Sequence, residues 1–272
     1  MISIKNGQDC ASIDCQDRGF LYGDGCFTTV RVQQGRALLW QRHVERLSQC
    51  AQQLALQLNP TVVTQQVNRF LQDRPSISGT LKIIISRGTG QRGYLPPVQA
   101  ADVYLQFFPS TSTAHEHQPT LSIESGVLPL MMGHVMPVLA GLKTLNRLEQ
   151  VMLRQALANT TWPEALVADI QGNLIEGVSS NCFFYMQHTW YTPILEQAGI
   201  AGVMRAEILA QMSQQNIPHL ITHIPKTAID QIEAMFFCNA LSGMVPVKVL
   251  QDRPLALAPV TALQQQLRFD HI

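Results

Sequence analysis

Charge is scarce in this 272-residue chain, and neither sign prevails. Charged residues make up 14% of the sequence, and 19 basic residues balance 19 acidic ones. This balance gives no electrostatic indication of a nucleic-acid or membrane-surface partner. Because 46% of the residues are hydrophobic, so little charge suggests that a second subunit covers part of the surface.

The cysteines lack the spacing of a metal site or a disulfide framework. The six cysteines include no Cys-x-x-Cys pair, and several lie in apolar runs such as Phe236-Phe237-Cys238. This usage is typical of small buried residues in a reducing compartment. No apolar run reaches membrane-spanning length, and the N-terminal residues do not resemble a signal peptide. We therefore expect a cytoplasmic protein without a membrane partner.

A polar stretch without periodicity separates two halves of the chain. Residues 110–119 are rich in Ser, Thr and His, which predicts a linker between an N-terminal α/β domain (1–109) and a larger C-terminal α/β domain (120–272). Within the linker, His115 and His117 have no third ligand spaced with them, so no metal site is predicted.

A glycine motif follows a predicted strand, Leu81–Ser86, whose apolar run favours burial on both faces. Gly88, Gly90 and Gly93 satisfy the dinucleotide fingerprint G-x-G-x-x-G. That fingerprint needs a helix directly after it, and Tyr94-Leu-Pro-Pro cannot begin one. We interpret residues 86–94 as an arginine-bearing loop for anionic groups.

Lysine is also rare: the chain has five, and Lys143 is difficult to explain as a surface residue. Small and apolar residues precede it, and from Leu145 onward apolar residues recur at helical spacing. Partial desolvation at the approach to a helix would lower the pKa of its amine and free it to attack a carbonyl carbon. The alternative is an ordinary lysine that extends to solvent.

Three further features accompany this lysine. Glu176 lies amid apolar residues, and a buried carboxylate needs a partner. The glycine turn at 199–202 precedes a helix predicted over Arg205–Gln214, whose first amides suit a phosphate. Arg46 lies on a predicted amphipathic helix, one turn from His43. A reactive amine, a buried carboxylate, a phosphate-suited helix start and an arginine are what a pyridoxal-phosphate (PLP) site requires.

The ordered motifs resemble the fold-type IV PLP enzymes, which include aminotransferases and aminodeoxychorismate lyases. The resemblance covers nearly the whole chain, and within the group it is greatest to the aminodeoxychorismate lyases. D-amino-acid aminotransferases tend to carry glutamate where this chain has Thr28, which also favours the lyases. The motifs are Tyr-Gly-Asp-Gly (22–25), His-x-x-Arg-Leu (43–47), Ser-Arg-Gly-Thr-Gly-Gln-Arg-Gly-Tyr (86–94), Leu-Lys-Thr-Leu-Asn-Arg-Leu-Glu (142–149), Glu-Gly-Val-Ser-Ser-Asn (176–181) and Gly-Val-Met-Arg (202–205).

The resemblance implies a two-domain α/β homodimer with PLP in the cleft between the domains. It implies a lyase that forms 4-aminobenzoate and pyruvate from 4-amino-4-deoxychorismate, for folate synthesis. Two alternatives remain open: an aminotransferase of the same fold acting on D- or branched-chain amino acids, and a non-catalytic PLP-binding protein. The implied cofactor residues are Lys143, Glu176, Arg46, Val203, Met204, Asn239 and Ala240, the implied substrate residues are Thr28, Arg92 and Tyr94, and the implied catalytic residues are Lys143 and Thr28.

Overall fold

Two compact units make up the structure, a computed structural model that describes residues 1–110 and 121–267. Unit 1 contains residues 1–110 and the segment Leu142–Asn146, and unit 2 contains residues 121–141 and 147–267. Nearly all of the predicted linker, with His115 and His117, lies outside the described residues. None of the helices in the described ranges combines the length and apolar character needed to cross a membrane.

Unit 1 is an antiparallel sheet with two helices packed on one face. The sheet order is β2-β1-β6-β5-β3-β4. The dipeptide Asn6-Gly7 predicts an opening hairpin, and this is confirmed by the antiparallel pairing of β1 with β2. Helices α2 and α3 pack against the sheet around a core that includes Val30, Leu47 and Phe70. The elements are β1 (Ile2–Lys5), β2 (Gln8–Asp9), α1 (Arg18–Tyr22), β3 (Gly25–Gln33), β4 (Arg36–Ala37), α2 (Trp40–Gln53), α3 (Pro60–Gln72), β5 (Gly79–Ser86) and β6 (Asp102–Pro109).

Strand β5 is not buried on both faces, in contrast to the prediction from its apolar run. Leu81, Ile83 and Ile85 are fully buried, but Lys82 and Ile84 between them are only half-buried. The strand is antiparallel to both neighbours, so alternate side chains leave the helix-covered face. The continuous apolar run therefore does not mark a strand buried on both faces.

Unit 2 contains a seven-stranded and a three-stranded sheet. The first has the order β12-β11-β10-β14-β15-β16, with β7 paired to β15, and the second has the order β13-β9-β8. The elements are β7 (Ile123–Ser125), a 3₁₀ helix (Pro137–Leu139), α4 (Leu148–Ala158), β8 (Leu166–Ala168), β9 (Asn173–Gly177), β10 (Asn181–Met186), β11 (Thr189–Pro193), α5 (Val203–Gln214), β12 (His219–Thr222), β13 (Ile224–Pro225), a 3₁₀ helix (Lys226–Gln231), β14 (Ala234–Asn239), β15 (Gly243–Leu250), β16 (Arg253–Pro254) and α6 (Ala258–Gln266).

Aromatic and aliphatic side chains fill the core of unit 2. Strands β10 and β14 pair along their length, and Phe183 stacks on Phe236 with ring centroids 5.0 Å apart. Helix α5 begins at Val203, two residues earlier than predicted, because Gly202 is already its N-terminal cap. None of the six cysteines, all of which lie in described segments, forms a disulfide; Cys26, Cys50, Cys182 and Cys238 are buried, as their apolar surroundings predict.

Candidate functional site

Lys143 lies beside the start of β3. The Phe27 amide donates to the Lys143 carbonyl at 3.0 Å, and the Leu145 amide donates to the Gly25 carbonyl at 3.0 Å. These backbone bonds fix Leu142–Asn146 in unit 1, whereas the predicted domain boundary assigned Lys143 to the second half. The lysine is half-buried, and its Nζ lies 4.6 Å from the centroid of the Phe27 ring. The predicted helix after it begins at Leu148.

Thr28 and Arg46 come together inside unit 1. Thr28 has no exposed surface, and its Oγ1 lies 2.6 Å from His43 Nδ1. Arg46 Nη1 donates to the same oxygen at 3.4 Å. The Thr28 hydroxyl is thus directed into the core of unit 1, where these two side chains contact it.

Desolvation lowers the pKa values of the two basic groups in this cluster. Desolvation, with a smaller contribution from the nearby Arg46 cation, lowers the pKa of His43 to about 3. Desolvation lowers the pKa of Arg46 to about 10, so its guanidinium stays charged at neutral pH. Because arginine only donates, the Thr28 hydroxyl oxygen accepts from Arg46, and the hydroxyl also shares a hydrogen bond with His43 Nδ1.

The loop with Arg92 and Tyr94 is exposed but anchored at its base. Arg18, 3% exposed, donates to the carbonyls of Gly93 at 2.8 Å and Tyr94 at 3.1 Å. The Tyr94 side chain is 88% exposed. Residues 94–101 contain no helix, in agreement with the rejection of a dinucleotide fingerprint.

Asp24 fixes the arginine at the base of this loop. Its Oδ2 accepts from Arg18 Nε at 2.9 Å and from Arg87 Nε at 2.8 Å. Burial acts to raise the pKa of Asp24, but the hydrogen bonds from Arg87 and Arg18 outweigh it and lower the pKa. Arg87, predicted as part of an anion-binding loop, is instead 7% exposed and engaged in this internal ion cluster.

Glu176 is buried in unit 2, as its sequence context predicts. It is 4% exposed, and its Oε2 accepts from the Ile200 amide at 2.8 Å. Gly199 approaches it closely: a Cβ there would lie 3.2 Å from Glu176 Oε2 and only 2.7 Å from a methyl carbon of Ile175. The carboxylate is thus held against the turn that leads into α5.

The start of α5 presents backbone amides without a capping side chain. The cap residue is Gly202, which has no side chain that could accept a hydrogen bond from the first helical amides. Asn181 holds the preceding turn, since its Oδ1 accepts from the Gly202 amide at 3.0 Å and its Nδ2 donates to the Ile200 carbonyl at 2.8 Å. Val203 and Met204 form the first turn, and their side chains are buried.

Asn239 ends strand β14 and organises the turn with Ala240. Its Oδ1 accepts from the amides of Leu241 at 3.0 Å and Ser242 at 2.8 Å. Its Nδ2 donates to Ser180 Oγ at 3.1 Å. Asn239 therefore links its own turn to the Ser179–Ser180 turn.

Glu164 is a residue that sequence reasoning missed. It is 7% exposed, and its carboxylate accepts from the Val178 amide at 2.8 Å and from the hydroxyls of Ser179 at 2.6 Å and Ser180 at 3.0 Å. An acidic residue directly before a buried strand is the sequence signal that could have identified it.

Thr29 is the second missed residue. Side chains alternate along β3, so Thr29 shares the face of Phe27 while Thr28 points the opposite way. The Phe27 ring contacts the Lys143 amine, so Thr29 lies on the same sheet face as the reactive nitrogen. The strand period of two could have distinguished the adjacent threonines.

Each unit contains groups that fit part of PLP. Unit 1 offers an amine for the aldehyde in Lys143 and a half-buried cation for the phosphate in Arg46. Unit 2 offers a buried carboxylate for the pyridine nitrogen in Glu176 and uncapped amides at Val203 and Met204. Because Gly202 leaves these amides uncapped, the α5 start suits the phosphate.

Comparisons with known proteins agree with this chemistry. Residues 25–250 match the family model described as amino-transferase class IV. An aminodeoxychorismate lyase of Vibrio harveyi is 32% identical over 247 residues, 89% of each chain. A D-alanine aminotransferase of Staphylococcus epidermidis is 21% identical over 264 residues, 96% of this chain and 92% of its own.

The fold is also shared with a solved enzyme. The crystal structure of 4-amino-4-deoxychorismate lyase from Pseudomonas aeruginosa has a TM-score of 0.89 and 31% identity, and the match covers 99% of both chains. The family match runs from the start of β3 to the end of β15 and includes the segment with Lys143. The chain belongs to the class IV aminotransferase family.

Proposed function

We propose that the protein is a PLP-dependent lyase that converts 4-amino-4-deoxychorismate to 4-aminobenzoate and pyruvate, a step of folate synthesis. The observation that carries the proposal is the half-buried Lys143 amine against Phe27, in a chain whose lyase relatives exceed 30% identity. The D-alanine aminotransferases that match it are more distant, at 21–23% identity.

In unit 1, we assign the aldehyde end of the cofactor to Lys143 and its phosphate to Arg46. The bound cofactor supplies an electron sink. Lys143 Nζ would take the proton from the amine-bearing carbon, and the ring becomes aromatic as the bond to the enolpyruvyl group breaks and that group leaves as pyruvate. The half-buried setting limits the water around the amine. Thr28 holds Arg46 through its hydroxyl, which is a positioning role.

In unit 2, we assign the pyridine nitrogen to Glu176 and further phosphate contacts to the amides of Val203 and Met204. A carboxylate beside the ring nitrogen keeps that nitrogen protonated, and the Ile200 amide orients the carboxylate. Asn239 and Ala240 line the cofactor from the turn after β14. The network of Glu164, Ser180 and Asn239 keeps that turn in place.

Arg92 and Tyr94 are proposed to contact the substrate. Both side chains are exposed and therefore available to a ligand. Arg18 holds the backbone of their loop through hydrogen bonds to the carbonyls of Gly93 and Tyr94. The Arg92 guanidinium can pair with a substrate carboxylate.

The protein is further proposed to be a cytoplasmic homodimer. Leu148, Val151 and Met152 are 73%, 51% and 50% exposed on one face of α4, while Leu153 and Leu157 are buried on the other face. An exposed apolar helix face favours burial against a second copy of the chain. Light scattering after gel filtration tests this, and a Val151→Glu variant should dissociate to a monomer. Six cysteines without a disulfide suit a reducing compartment.

The function is tested by mixing PLP-loaded protein with aminodeoxychorismate and following 4-aminobenzoate by its fluorescence. Product should form, and borohydride pretreatment, which fixes the cofactor on the lysine, should stop it. Lys143→Ala should abolish turnover because it removes both the attachment point and the base. Lys248→Ala, which removes an exposed lysine paired with Glu124, is the matched control and should stay active.

Two outcomes would replace the proposal. Conversion of the cofactor to its pyridoxamine form by D-alanine or L-leucine, without 4-aminobenzoate, would identify an aminotransferase. A protein that binds PLP but gives neither reaction would be a non-catalytic binding protein.

A further inference from the structure

Lys82 is a half-buried lysine that pairs with no carboxylate in the described part of the chain. It lies at the middle of β5, and its Nζ lies 4.9 Å from the centroid of the Phe27 ring. Among the described residues, no carboxylate forms an ion pair or hydrogen bond with it. Lys5 and Lys248, by contrast, pair with Asp102 and Glu124.

The Phe27 ring places Lys82 close to the reactive amine. Lys143 Nζ lies 4.6 Å from the same ring centroid, so the two nitrogens are separated by no more than the sum of these distances. Lys143 and Lys82 both belong to unit 1. A ligand group beside Lys82 is therefore within reach of a molecule attached at Lys143.

Lys82 is the centre of a polar row across the sheet. In the strand register Thr29 on β3 faces Lys82, Lys82 faces Gln106 on β6, and Gln106 faces Ser3 on β1. The row lies on the sheet face opposite the helix-covered core, and all four residues are half-buried. No side-chain hydrogen bond within the described chain occupies Thr29, Gln106 or Ser3.

This row has the composition of a carboxylate site. An ammonium group donates three hydrogen bonds, an amide nitrogen two and a hydroxyl one, whereas a carboxylate only accepts. Burial of an unpaired ammonium is unfavourable, and desolvation lowers the pKa of Lys82 accordingly. An anionic ligand would restore the missing interaction.

We propose that Lys82, flanked by Thr29 and Gln106, binds a carboxylate of the substrate and helps select a dianion over a singly charged amino acid. The inference rests on the proposed lyase function for the identity of the substrate. It assigns to the sheet face a second recognition point, separate from the loop that carries Arg92.

The kinetic test compares Lys82→Met, Lys82→Arg and Lys5→Met in the PLP-loaded enzyme. We expect Lys82 to bind the substrate and the transition state equally well. Losing its charged hydrogen bond in Lys82→Met should therefore raise KM for aminodeoxychorismate about 10- to 100-fold and leave kcat nearly unchanged. Lys82→Arg should stay within about fivefold of the wild type because the charge is kept. Lys5→Met, whose lysine is already neutralised by Asp102, is the control and should leave KM unchanged.

A binding measurement separates this inference from the proposed function. Calorimetry with isophthalate, a dicarboxylate that cannot react, should show at least tenfold weaker binding to the Lys82→Met holoenzyme, whether or not the wild type is a lyase. Gln106→Leu should weaken isophthalate binding about threefold to tenfold and serves if Lys82→Met fails to fold.

Three results would overturn the inference. They are unchanged KM and isophthalate affinity in Lys82→Met, no isophthalate binding by the wild type, and a shifted pH–kcat profile with unchanged KM. The last result would mean that Lys82 acts only on the charge of Lys143.

Discussion

Thr28 and Thr29 are adjacent on strand β3 but lie on opposite faces of the sheet. Thr28 is fully buried with His43 and Arg46, whereas Thr29 is half-buried on the face of Phe27, whose ring contacts the Lys143 amine. The two hydroxyls therefore have different roles. One supports a cation in the interior, and the other is available on the side of the reactive nitrogen.

Thr28→Val and Thr29→Val form a matched pair that separates these roles. Thr28→Val removes one acceptor of Arg46 and should weaken PLP binding roughly tenfold, because a hydrogen bond to a charged group is worth about 1.5–3 kcal/mol. Thr29→Val should leave PLP affinity unchanged. Titration of apoprotein with PLP, followed by absorbance, measures both, and equal losses in the two variants would contradict the assignment.

His43 should make the protein less stable in acid. Its pKa in the folded state is about 3 against an ordinary value of 6.5, so the unfolded chain binds more protons between these pH values. Stability should therefore fall as pH decreases, by roughly 3 kcal/mol between pH 6.5 and pH 4. Urea unfolding across this range should show a flatter profile in His43→Asn, which keeps an acceptor for Thr28. His188→Asn, at an exposed position, should retain the wild-type slope.

Asp24→Asn should destabilise unit 1 strongly. The substitution leaves Arg18 and Arg87 as buried cations without their shared carboxylate, which typically costs about 3–5 kcal/mol. It should also loosen the Arg92–Tyr94 loop, because Asp24 holds the arginine that anchors the loop. Thermal unfolding measures the loss. Glu45→Gln, which breaks an exposed pair with Arg42, should change the midpoint by no more than about 2 °C.

Gly202→Ala should disrupt the start of α5. A Cβ at this position would lie 2.0 Å from Asn181 Oδ1, so the turn before Val203 must shift. We expect at least tenfold weaker PLP binding, since the helix-start amides would move. Gly133→Ala, where a Cβ meets nothing within 4 Å, is the control. Unchanged PLP affinity in Gly202→Ala would argue against a phosphate at this helix.

The sequence identified elements with strong local signals and missed features that depend on tertiary contacts. The opening hairpin follows from its turn residues, and the burial of Glu176 and of Cys238 follows from their apolar neighbours. The apolar spacing after Lys143 predicted a helix, but tertiary packing buries Leu153 and Leu157 and leaves Leu148 exposed.

Placement of individual side chains was harder to predict. The motif with Thr28 indicated a functional strand, but only the sheet register determines which threonine shares a face with Lys143. Arg87 was interpreted as part of an anion-binding loop because its actual partner, Asp24, is distant in sequence. The carboxylate of Glu164 and the row around Lys82 likewise depend on chain segments brought together by folding.

The placement of the cysteines makes chemical labelling a measure of unfolding. Cys15 is exposed and Cys10 partly exposed, whereas the other four thiols are enclosed in the cores of the two units, Cys26 and Cys50 in one and Cys182 and Cys238 in the other. A slow alkylating reagent should therefore modify two cysteines in the native protein and all six after unfolding. Mass spectrometry of partly labelled chains would then show which unit opens first.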